Sequence, residues 1–167
     1  TISTAMNGQS LVLSNVFTFE GGSGGAFDIA ANDTVTLSGD ISGSLPLTKK
    51  GAGRLAFSSV NNTRSGTMDI QAGTFAVNSS ANIGGTLTIG NGTLATTGTF
   101  SHGGDIVLNH EDAAIDVENG ILTLTGTISG TDSLTKKGVG TLVITGAANT
   151  YNHTYLEAGI LQFKNFN

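Results

Sequence analysis

Two stretches decide how this chain reads: LTKKGAGRLAF at residues 47–57 and LTKKGVGTLVI at residues 134–144. Each runs two lysines into Gly-X-Gly and then into a short segment with apolar residues at alternate positions. A phosphate-cradling loop puts its lysine after the glycines, at the start of a helix whose N-terminal dipole favours the anion. Here the lysines come first and a strand follows. The order predicts a corner in a repeating scaffold. Gly51, Gly53, Gly138 and Gly140 would take backbone conformations that a side chain obstructs. Lys49 and Lys136, with their neighbours Lys50 and Lys137, would sit solvated outside.

The match extends beyond the two stretches. Residues 37–57 and 124–144 are identical at 12 of 21 positions, an offset of 87. Asn62-Thr63 answers Asn149-Thr150, and Gln71-Ala72-Gly73 answers Glu157-Ala158-Gly159, where the offset slips to 86. A residue lost in a turn is tolerated when the layer beneath still sets the register. A shorter beat lies under the long one. Alternating apolar triplets fall at 35–37, 55–57 and 75–77, and again at 122–124, 142–144 and 161–163. Those at 87–89 and 106–108 keep nearly the same interval with the phase shifted. Short strands at this period predict an all-β fold, a parallel β-solenoid of about 20 residues per rung. One rung cannot bury its apolar face alone, so rungs stack at ~4.8 Å and their inward residues form one continuous core. On that count the long repeat is roughly four rungs, which sets the two lysine pairs ~19 Å apart along the axis. An immunoglobulin-like sandwich also suits a repeat of that length. Its strands come at less regular intervals, and it usually buries a tryptophan, which this chain lacks.

Composition agrees with many short strands and tight turns. Glycine is 25 of 167 residues, proline is 1, and charged residues are 11%. Apolar residues at 38% are too many for a disordered tail. Net charge is −5, which argues against nucleic acid and against an anionic membrane surface. No apolar run reaches the roughly 18 residues of a spanning helix. The absence of cysteine removes disulfides and thiolate metal sites. With no signal peptide and a first residue that falls in mid-pattern, the expectation is one segment over 1–167 of a longer protein, with internal repeats at about 27–77 and 115–163 joined by less regular rungs over 78–114.

The second stretch and its continuation, Leu134 to Tyr151 and then Glu157-Ala158-Gly159-Ile160-Leu161, resemble the β-strand repeat of bacterial autotransporter passengers. That pattern runs L-T-K-x-G-x-G-T-L-x-L-x-G-x-N-T-Y and then A-G-T-L. The first copy departs from it at Arg54, Ser59 and Arg64, where the pattern has Thr, Gly and Tyr. The second has Asn152-His153 in place of a Thr-Gly-like turn. The resemblance implies a right-handed parallel β-helix at the surface of, or secreted from, a Gram-negative bacterium, exported by a C-terminal β-barrel outside this chain. It implies partners such as host cell-surface or matrix molecules, or self-association between cells. The roles it implies are adhesion, aggregation or a stalk, with a toxin domain carried elsewhere as a further possibility.

The repeat corners are then Lys49, Gly51, Gly53, Asn62, Gly73, Lys136, Gly138, Gly140, Asn149 and Gly159. The two asparagines are expected to bridge neighbouring rungs through their amides, and Tyr151 is expected to pack over the next rung. Other motifs carry less. Gly21-Gly22-Ser23-Gly24-Gly25 spells G-x-S-x-G, but a strand follows where a nucleophile elbow needs a helix. Its likeness to a calcium-binding nonapeptide fails at Ala26, where Asp is required. Asp105, Glu111, Asp112, Asp116 and Glu118 place five of the 12 acids in one short run, beside His102 and His110. This is the one candidate ligand face, and a β-helix enzyme acting on polysaccharide would use such acids. Residues 65–135 contain no Arg or Lys to stabilise the charge that uronate cleavage develops. No catalytic residue, cofactor or metal is assigned, and the expectation is a protein that is not an enzyme.

Overall fold

The short beat in the sequence is a stacking period. The computed structural model describes residues 1–164 and consists of parallel strands wound into a β-solenoid of about eight turns, roughly 21 residues each. The first rung is β1 (Ile2–Ser3), β2 (Ser10–Leu13) and β3 (Phe17–Phe19). The second is β4 (Gly25–Asp28), β5 (Thr34–Leu37) and β6 (Ile41–Gly43), and the third β7 (Leu47–Lys50), β8 (Arg54–Phe57) and β9 (Thr63–Arg64). In the fourth, the ten-residue strand β10 (Met68–Val77) bends across two faces and a 3₁₀ turn, Ser80–Asn82, takes the third. The fifth has β11 (Leu87–Thr96), again across two faces, and β12 (Thr99–His102). The sixth has β13 (Ile106–Leu108), β14 (Ala114–Val117) and β15 (Ile121–Leu124), and the seventh β16 (Ile128–Gly130), β17 (Leu134–Lys137) and β18 (Thr141–Ile144). The eighth has β19 (Thr154–Leu156) and β20 (Ile160–Phe163).

These strands stack into three faces. The registers are those read from the triplets: Val35 pairs with Leu55 and Leu55 with Phe75, while Leu122 pairs with Leu142 and Leu142 with Leu161. Leu87 and Ile106 pair on a different face, which is why their phase differs. Alternate residues of each strand point inward and stack on like residues. One column runs Leu11, Val35, Leu55, Phe75, Leu94, Ile115, Lys136 and Leu156, buried from Val35 to Lys136 and exposed at its two ends. Burial of such columns is the main force holding the rungs together.

The long sequence repeat spans more than four rungs. From Leu47 the first face climbs through Met68, Leu87 and Ile106 to Ile128, four steps of the stack. The second Leu-Thr-Lys-Lys begins six positions later, at Leu134. It has turned one corner: Leu47–Lys50 lies on the first face and Leu134–Lys137 on the second, paired with β14 and β19. The strands that follow shift likewise, Arg54–Phe57 on the second face and Thr141–Ile144 on the third. The expectation of four rungs holds along the axis. The extra residues rotate the second copy by one face.

Candidate functional site

The lysines are where sequence reasoning erred. Lys49 and Lys136 are fully buried, not solvated. Each sits two residues after an inward leucine, so its aliphatic stem fills a core column: Lys49 between Phe27 and Ile70, Lys136 between Ile115 and Leu156. Each ammonium then turns into the corner and donates to three carbonyls. Lys49 Nζ reaches Lys50 O at 2.7 Å, Gly51 O at 2.7 Å and Ala72 O at 3.2 Å. Lys136 Nζ reaches Lys137 O, Gly138 O at 2.8 Å and Ala158 O at 3.1 Å. Two carbonyls belong to its own turn and the third to the Ala-Gly turn of the next rung. This ties together the two halves of the repeat, Lys-Lys-Gly-X-Gly and Ala-Gly. Burial pushes the Lys49 pKa down to about 8, while the Asp28 carboxylate pulls it upward. Burial lowers that of Lys136 too, with Asp116 opposing. The outer lysines differ: Lys50 is exposed and Lys137 partly so.

The glycines leave room for this packing. Gly138 has φ +74°, and a Cβ there would lie 2.2 Å from Asp116 Oδ1 and 2.4 Å from Val117 O. Gly159 (φ +72°) stacks on the turn below, where a Cβ would come 2.4 Å from both Gly138 O and Gly140 O. Gly73 stacks in the same way on Gly51 and Gly53. Asn62 and Asn149 each accept a hydrogen bond from the rung below, from Ile41 N at 2.6 Å and Ile128 N at 2.8 Å. Asn62 Nδ2 also donates to Asn82 Oδ1 in the rung above, whereas Asn149 Nδ2 closes its own turn on Gly146 O at 2.8 Å. Tyr151 packs against the core, with its hydroxyl 2.8 Å from Thr154 Oγ1. Arg64 stands at the same repeat position and bonds to the same third residue on, donating to Thr67 O at 2.9 Å, and also to Ile83 O.

The acidic run does not converge. Asp116 is the counterpart of Asp28: each lies one rung below its buried lysine, beside the corner glycine. Glu118 accepts from Arg54 Nη1 at 2.7 Å, three rungs away along the second face. Asp105 Oδ1 accepts from Thr127 N at 3.0 Å. Asp112 lies 3.5 Å from His110. Glu111 and Asp112 instead line a polar cleft of about 390 Å³ with Asp132, Ser133, Asn152 and Tyr155 from the next two rungs. The sequence offers Tyr155 as an aromatic that could anchor a ligand; Asp132 was missed, although it follows Asp112 by one rung spacing. Tyr155 is exposed and stacks on His153 at 6.3 Å between ring centroids. Among the described residues no group of three or more His, Asp or Glu side chains is placed to hold a metal ion.

The passenger-associated-transport-repeat family matches residues 47–77 and 134–163, the two lysine corners with their Ala-Gly turns. The chain is also similar to the adhesin BmaC autotransporter of Brucella suis biovar 1 (strain 1330), 30% identical over 171 residues. This is autotransporter passenger sequence. The alignment covers 93% of this chain and 5% of that adhesin, so the passenger segment spans a small fraction of its relative's length. No solved structure matches it. A passenger of this class belongs at the cell surface of a Gram-negative bacterium or among its secreted proteins.

Proposed function

We propose that this passenger segment is a length of shaft that takes part in adhesion, through host cell-surface or matrix molecules or through self-association, and that it performs no catalysis. The observation that carries the reading is the fate of the acids. Asp116 sits beside the buried Lys136 corner with its Oδ1 unpaired, Glu118 pairs with Arg54 and Asp105 accepts from Thr127 N, so the sequence-derived acids are spread over separate places. What remains is three stacked faces whose outward positions are mostly Thr, Ser, Asn and Ala, suited to many weak contacts made at once. The similarity to an adhesin supports the same reading. The carbohydrate-active alternative draws no such support.

The test is to display the passenger on bacteria and measure attachment to host cells and matrix, with the purified 167-residue chain as competitor. Competition by the chain, or loss of attachment when this segment is exchanged for plain solenoid rungs, is the expected result. Attachment that neither treatment changes would remove adhesion from this segment and leave only a spacer. Turnover of an acidic polysaccharide by the wild-type chain, abolished in Asp112→Asn, would overturn the non-catalytic reading.

A further inference from the structure

The third face is interrupted. β3, β6 and β9 form one ladder and β12, β15, β18 and β20 another, with the 3₁₀ turn Ser80–Asn82 between them where the fourth rung's strand would lie. On the other two faces the fourth and fifth rungs are joined along the whole length of β10 and β11, from Met68↔Leu87 to Val77↔Thr96. At the interruption, side chains take over from the backbone ladder. The bond from the fourth rung to the fifth runs between Ser80 Oγ and His102 Nδ1 at 3.0 Å.

His102 is buried in the core column that runs Arg64, Ile83, His102, Leu124. Its Nε2 is buried with no hydrogen-bond partner. A neutral ring tolerates this in either tautomer at the cost of one unmade bond. An imidazolium would bring a second N–H and a full charge to the same apolar spot. The groups facing it offer no relief. The 3₁₀ turn contributes Ser80 and no titratable side chain, and β15 contributes Leu124. On the far side of Ile83 is Arg64, itself buried and bonded only to carbonyls. Asp105, the nearest acid along the chain, has its carboxylate on Thr127 N. Among the described residues neither Arg64 nor His102 has a carboxylate partner.

We propose that this face is a pH-sensitive latch: uptake of a proton by His102 expels the ring from the core, frees the Ser80–Asn82 turn and opens the third face between the fourth and fifth rungs while the other two faces stay paired. Burial holds the His102 pKa below its ordinary 6.5, so the neutral ring's contribution is complete above that pH and is lost as pH falls through 6.5 toward the lowered value. The β9 and β12 strand edges would then be uncovered together.

Hydrogen–deuterium exchange of the 167-residue chain near pH 7.5 and near pH 5, corrected for intrinsic rates, tests this. Protection over residues 79–86 and 99–105 should fall by about tenfold or more at the lower pH, with residues 68–77 and 87–96 unchanged. His102→Gln, which can still bond to Ser80 but cannot charge, should abolish the response. Equal protection at both pH values, or a response that survives in His102→Gln, would overturn the proposal. Should that variant fail to fold, the wild-type His102 ring resonance decides. A midpoint below 6.5 that coincides with the loss of protection supports the latch, and a midpoint at or above 6.5 refutes it.

Discussion

The first copy of the repeat packs its core with phenylalanine and the second with aliphatic residues. Phe27, Phe57 and Phe75 meet edge to face, with ring centroids 6.1 and 4.9 Å apart. Their counterparts are Ile115, Ile144 and Leu161. The surfaces diverge as well: Thr34, Ala52 and Thr74 in the first copy answer Ile121, Val139 and Ile160 in the second, all three of which are exposed. Corner chemistry is what the copies share. A buried lysine holds three carbonyls, an aspartate lies one rung below, glycines allow close stacking and an asparagine reaches the rung beneath. Core volume and surface chemistry can vary as long as the core stays filled. An unsatisfied buried carbonyl at a corner has no such alternative.

The strongest way to break this equivalence is at a glycine. Gly138→Val forces a branched side chain into a left-handed backbone and against Val117 O, and should cost more than about 4 kcal/mol in urea unfolding. Val139→Ala beside it should stay within about 0.5 kcal/mol. Next come Lys49→Met and Lys136→Met, which keep the apolar stem and take the ammonium away from three carbonyls, of which Lys50 O keeps its bond from Ile29 N. Each should lose about 2–4 kcal/mol, and the two losses should agree within about 1 kcal/mol although the corners lie on different faces. A clear inequality would show that the copies are not interchangeable. Phe57→Ile gives the first copy the second's residue without its neighbours. It should cost about 1–3 kcal/mol, because Phe27 and Phe75 lose a shared contact. The smallest effect belongs to Arg54→Thr, which restores the usual repeat residue. Breaking the half-exposed pair with Glu118 should cost about 0.2–1 kcal/mol, shrinking in high salt.

The rung registers were legible because a parallel stack repeats its own period in the sequence, and Val35, Leu55 and Phe75 could be paired by counting alone. The buried lysines were missed because charge was weighed above alternation. Leu47-Thr48-Lys49 already places Lys49 on the same side as Leu47. The cleft was not legible in full for a related reason. The acids were gathered along the chain from Asp105 to Glu118, whereas a solenoid assembles its surface across rungs, and so brings Asp132 and Tyr155 beside Asp112. The rotation of the second copy was hidden by unequal turns. The steps from Leu47 to Met68, Leu87, Ile106 and Ile128 differ in length, which blurs the difference between four rungs and four rungs plus a side.

The excess of the sequence repeat over four rungs gives the shaft an azimuth as well as a height. A motif copied at this interval climbs the axis and advances around it like the tread of a spiral stair, and three such steps return it to its starting side. A partner approaching from any direction would then meet the motif at some level. An array in strict vertical alignment would present it from one side only.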